Sequence, residues 1–227
     1  MRVIMESIFD IIYLLGVVGM GIYLLKNSKN KVTKLYGWMA VILGAGDAFH
    51  LIPRVIALLS AGPNGDLTSA FIQYEVSMGF GKAVTSITMT VFYLILYIIW
   101  KEYYQVKNTK TISIVLLVLA AVRIIVGLFP QNMWLVHNQP LDWAIYRNIP
   151  FAIMGIIMIY LFYNESRKRA NDPFKWMWLA ITLSFGFYIP VVLWSDVNQA
   201  IGLLMIPKTL AYVWVVVMGL QYQKSLN

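Results

Sequence analysis

The chain has 227 residues, of which 60% are hydrophobic and 12% charged, and its mean hydropathy is +0.70. A soluble domain carries about a quarter charged residues, so a soluble fold is excluded. The apolar residues fall in blocks of about twenty, the length that crosses a bilayer as a helix, which predicts an all-α polytopic membrane protein with one domain filling residues 1–227. There is no cysteine, which removes disulfides, thiol catalysis and cysteine metal ligands. Two histidines, His50 and His137, are too few to build a metal site, and none is expected.

Seven spans are predicted, at about residues 3–25, 35–60, 77–100, 112–129, 143–163, 176–194 and 198–220. The first lacks a small-residue cleavage site on its flank and reads as a retained helix. Its Gly16, Gly19 and Gly21 are small positions where a neighbouring helix can approach. Span two contains Asp47, His50, Pro53 and Arg54, and the turn signal at residues 61–66 follows, then a short polar stretch. Span three carries Lys82 and the hydroxyls of Thr85, Ser86, Thr88 and Thr90. Span four holds Arg123; the loop after it, residues 130–142, includes Trp134 and His137 and is suited to lie in the interface. Span five has Arg147, Asn148 and Pro150 near its start, and span six has Ser184, Tyr188 and Pro190. Span seven carries Lys208 about halfway along, directly after Pro207, where a kink or local opening is expected. Trp100, Trp143, Trp176, Trp178, Trp194 and Tyr222 stand at span ends and read as interface anchors.

The loops after spans one, three and five, with the tail, hold the lysines and arginines from Lys26 to Lys224 that lie outside the spans. The opposite loops hold none, and only Arg2 lies on that side. The positive-inside rule therefore predicts an outside N-terminus and a cytoplasmic C-terminus in the cell membrane. The net charge of +8 reads as a topology signal and an attraction to anionic inner-leaflet lipid, or to a cytoplasmic partner, and not as nucleic-acid binding. The sequence is compatible with an oligomer.

Depth follows from a rise of about 1.5 Å per residue. Five acids (Asp10, Asp47, Glu75, Asp142, Asp196) and five bases (Arg54, Lys82, Arg123, Arg147, Lys208) fall between mid-membrane and the outer edge, and none falls in the inner halves. Charges at such depth face the bundle interior and pair with one another. Asp47, His50 and Arg54 share one helix face by their spacing of three and four, as do Lys82, Ser86, Met89 and Tyr93, and Leu204, Lys208 and Tyr212. This predicts a polar cavity in the outer half, with Lys208 at its floor and Asp47 or His50 as its partner. Arg147 and Asp142 are near enough to the interface to snorkel. The same charges also read as a structural ion-pair network without a ligand.

Three stretches resemble the microbial rhodopsin family: Leu15-Gly-Val-Val-Gly-Met-Gly-Ile-Tyr-Leu-Leu25, Lys34-Leu-Tyr36 and Phe185-Gly-Phe-Tyr-Ile-Pro-Val-Val-Leu-Trp194, together with a lysine in the last helix. The resemblance implies a seven-helix bundle with retinal on Lys208 and Asp47 as counter-ion. Aligning the seventh helices through residues 204–208 instead puts Tyr212 on the family's lysine position, and span three offers Thr85, Ser86 and Thr88 in place of the family's carboxylate. Gly46-Asp47 and the length are similar to the lysoplasmalogenase family of small membrane hydrolases, which implies acid–base work by Asp47 and His50.

Three functions follow. The first is a non-enzymatic receptor or transporter that binds a small polar or zwitterionic molecule through Asp47, His50, Arg54, Lys82, Arg123, Tyr188 and Lys208, with no cofactor. In it Lys208 and Arg54 hold an anionic group, Asp47 or Glu75 a cationic one, and kinks at Pro53, Pro190 and Pro207 permit movement. The second is an intramembrane lipid hydrolase. The third is a retinal photoreceptor.

Overall fold

The computed structural model describes residues 2–62, 65–195 and 197–226. Asp196, and Pro63 and Asn64 of the expected turn, lie outside the described residues. Among those residues every regular element is helical: α1 (Arg2–Lys26), α2 (Lys31–Ala61), α3 (Leu67–Gln73), α4 (Glu75–Tyr104), α5 (Lys110–Leu128), α6 (Leu141–Ser166), α7 (Met177–Trp194) and α8 (Met205–Ser225). Single 3-10 segments cover Pro130–Asn132 and Gln199–Leu204. Seven helices are long and apolar enough to cross a membrane, α3 being the exception, which makes this a multi-pass membrane architecture.

The spanning helices form a closed ring in chain order, from α1 through α2, α4, α5, α6 and α7 to α8, which returns to α1. Contacts of α4 with α6 and of α2 with α8 cross the middle. The ring has two ends. One carries the N-terminus of α1, and the other carries the basic loops.

Most helices run past the expected bounds, and the residues at their ends explain why. Asn30 caps α2 by accepting a hydrogen bond from the Thr33 amide at 2.9 Å, while the Thr33 hydroxyl accepts one from the Asn30 amide at 3.2 Å. This reciprocal box satisfies two donors that a helix start leaves orphaned. The expected polar stretch after span two is a helix, α3, capped by Asp66, which accepts from the Thr68 amide and the Ser69 hydroxyl. Those donors, the Ser69 hydroxyl foremost, hold the exposed Asp66 carboxyl below the usual carboxylate range.

Trp100 is not an interface anchor. Because α4 continues for another turn, the indole lies inside the bundle, 2% exposed, and donates to the Leu161 carbonyl at 3.1 Å. The basic end is sealed by aromatic rings. Phe174, from the loop between α6 and α7, is fully buried against Tyr36, Tyr103 and Tyr222. Asp172 anchors it by accepting from the Tyr104 hydroxyl at 2.6 Å and the Phe174 amide at 2.7 Å.

Glycine sets the tightest approaches. Gly21 packs on Val41 of α2, whereas Gly16 and Gly19 meet no neighbour within 4 Å, so only one of the three expected small positions is a packing contact. Between α2 and α4, Pro53 leaves the Phe49 carbonyl without its helical donor. That oxygen stands against the place where a Cβ of Gly81 would be. Backbone cannot move aside as a flexible side chain can. Gly81→Ala is expected to lower stability by about 1 to 3 kcal/mol through overpacking, measured by thermal unfolding of the purified protein. An unchanged midpoint would show that α2 and α4 do not approach this closely.

Pro53, Pro150 and Pro190 lie inside continuous helices. Pro207 does not interrupt a long helix. It occupies the first turn of α8, where amides lack helical partners anyway, and the 3-10 segment ends just before that turn. Lys208 therefore sits one turn into α8 instead of halfway along a continuous helix.

Candidate functional site

A cavity of about 390 Å³ occupies the N-terminal half of the ring, and every spanning helix contributes to its wall. The volume lies in the range of small-molecule pockets. Helix α1 supplies Glu6 and Asp10, one turn apart on one face. Glu6 pairs with Arg54 of α2 at 2.9 Å, tying the two helices, and Arg54 also lies over the Phe71 ring of α3 at 5.2 Å. The Oδ2 of Asp10 is buried without a hydrogen-bond partner. His50 faces the Met78 carbonyl across 3.2 Å, a contact that requires its Nδ1 to carry the proton.

Helix α4 presents Lys82, Thr85, Ser86 and Met89 to the cavity. Arg123 of α5 is 3% exposed, and its guanidinium lies 3.4 Å over the Phe151 ring. Its Nε and Nη1 have no hydrogen-bond partner. Arg147 does not snorkel. The connection between α5 and α6 folds back and holds it, with Asn132 accepting from Nη1 at 3.1 Å, Gln139 from Nη2 at 3.4 Å and Trp134 stacking at 4.3 Å. Glu75 fixes the same connection by accepting from the His137 amide at 2.6 Å. Asp142 stays exposed at the start of α6 and does not line the cavity.

Tyr188 of α7 donates to Asn148 of α6 at 3.1 Å. Lys208 projects its ammonium over the Tyr188 ring at 4.7 Å, with Tyr212 at 5.5 Å. Among the described residues no carboxylate reaches ion-pair distance of Lys208. Asp47 lies within Coulombic range of it but accepts a 2.5 Å hydrogen bond from Tyr13 and does not line the cavity. Of the residues singled out from sequence, His50, Arg54, Lys82, Arg123, Tyr188 and Lys208 share one wall system, and Asp47 stands behind it.

Below the cavity the rings of Tyr93, Phe151 and Phe185 pack edge to face or tilted, with centroids 5.0 to 5.8 Å apart, and Phe92 bridges to Tyr212. This layer separates the polar half from the basic end. No family model, curated protein or solved structure matches this chain. The chemistry of the site is therefore argued from its own residues.

Five cations (Arg54, Lys82, Arg123, Arg147, Lys208) line the cavity against two carboxylates, Glu6 and Asp10. A cationic excess in a low-dielectric enclosure attracts anions strongly. Among the described residues no three His, Asp or Glu side chains gather to hold a metal. Glu6, Asn132 and Gln139 escaped the sequence reading, and Asn148 stood in it only as a polar residue near the start of span five. Glu6 carried a usable signal, because it precedes Asp10 by four residues and Tyr13 by seven, all on one helix face. The amides carried none, since a neutral side chain near a span end is unremarkable in sequence.

Proposed function

We propose that this is a binding protein of the cell membrane, a receptor or transporter. It binds the small polar, anionic group of its ligand in the cavity, whose N-terminal end would lie on the outer side of the membrane. The basic loops would then face the cytoplasm, as positive residues do. The observation that supports this reading is the cationic excess around an enclosed cavity, with Arg123 buried and two of its nitrogens unpartnered. Arg123 and Lys208 would hold the anionic group, since charge-assisted hydrogen bonds are the strong ones. Asp10, whose Oδ2 has no partner, would receive a cationic end if the ligand is a zwitterion.

Glycerol 3-phosphate and phosphocholine are the probes. At a hundredfold excess over its dissociation constant, a bound ligand should stabilise the protein by about 2.7 kcal/mol, and thermal unfolding reads this as a raised midpoint. Lys208→Gln, which weakens binding about tenfold, should cut this to about 1.4 kcal/mol at the same probe concentration. Recovery of the probe unchanged separates this function from an intramembrane hydrolase, and a visible band on adding retinal that needs Lys208 would replace it with a photoreceptor. No rise for any anionic probe would overturn it.

A further inference from the structure

A second recess, of about 200 Å³, opens between α6 and α7 and presents no polar surface. Ile149 and Ile189 on its rim are 51% and 46% exposed on spanning helices, so in a bilayer this recess meets hydrocarbon. It shares a wall with the polar cavity, because Asn148, Phe151, Tyr188 and Val192 line both. The two cations discussed above sit directly on this junction. Arg123 lies over Phe151 and Lys208 over Tyr188. An anionic group bound by them is thus one side chain away from a slot open to lipid tails.

The hydrogen bond from Tyr188 to Asn148 crosses the junction. Pro150 and Pro190 lie close by on the two helices, and each removes one backbone hydrogen bond within its own helix, so α6 and α7 bend more easily there.

We propose that the ligand is a single-chain lipid with a phosphate-monoester head, of the lysophosphatidate class, that enters sideways between α6 and α7. This rests on the binding reading above and names its ligand class. The head lies at Lys208 and Arg123, and the chain lies in the apolar recess. A phosphate monoester carries about −1.5 to −2 charges and three acceptor oxygens, which matches a site rich in cations with unused donors. The chain leaves one apolar medium for another, so it adds little affinity, and its position is the informative readout.

The test is photolabelling in phosphatidylcholine nanodiscs, using lysophosphatidate with a diazirine on its chain, followed by mass spectrometry. Label should concentrate in residues 145–152 and 185–193. Excess unlabelled lysophosphatidate should compete it away, and lysophosphatidylcholine should not. Lys208→Gln should lower it about tenfold, the effect of one lost charged hydrogen bond; the competition arm needs no variant and stands if that protein folds poorly. Label spread evenly over the lipid-facing helices and indifferent to competitor would overturn the proposal. If glycerol 3-phosphate still stabilises the protein in that case, the head site survives and the sideways chain does not. If it does not, both fall.

Discussion

Arg123→Met is expected to raise the stability of the empty protein and to weaken ligand binding, two effects of opposite sign from one side chain. The guanidinium is 3% exposed, and its Nε and Nη1 lack partners. Unsatisfied buried donors cost about 1 to 3 kcal/mol each. The stacking on Phe151 returns about 2 kcal/mol of this. Methionine keeps most of the apolar stem and needs no partner, so the net gain should be about 1 kcal/mol, read as a higher unfolding midpoint without ligand. Binding of the anionic probe should weaken by about 2 to 3 kcal/mol, since a charge-assisted contact is lost. A variant that is less stable and still binds would show that Arg123 serves the fold alone.

Glu6→Ala should lower stability by about 2 to 3 kcal/mol. The carboxylate side chain is 6% exposed and pairs with Arg54, which is 28% exposed, across the joint between α1 and α2. Removing one partner of a buried pair costs about 3 to 5 kcal/mol because the other charge is stranded. Water reaches Arg54, which places the effect below that range. Thermal unfolding of Glu6→Ala, Arg54→Ala and the double variant supplies the check. The double variant should be less destabilised than the two singles combined, and strict additivity would mean that the pair carries no coupling.

The seven spans were legible because bilayer thickness imposes length and hydropathy on each one separately, without knowledge of its neighbours. Helix faces were legible for the same local reason, as with Lys82, Ser86 and Met89, which meet on the cavity wall. What failed needed tertiary information. Trp100 looked like an anchor because a tryptophan at a span end usually is one, but α4 runs on to Tyr104 and turns the indole toward α6. Asp47 shares a spacing with His50 and Arg54, yet the position of α1 decides that Tyr13 takes its carboxylate. Helix α3 could have been found from Asp66 standing ahead of Thr68 and Ser69, a capping arrangement that a hydropathy reading passes over. Phe174 and Asp172 looked like loop residues, and nothing local announces that a basic loop folds inward to plug a bundle.

The aromatic layer under the cavity has an electrical consequence. Rings of Tyr93, Phe151, Phe185 and Tyr212 lie between the charged half and the sealed basic end. Phe151 and Phe185 add no polar atom here, and Tyr93 and Tyr212 add one hydroxyl each, so a transmembrane voltage would fall more steeply across this stratum than across the polar half. A charge held in the cavity would then sense little of that field.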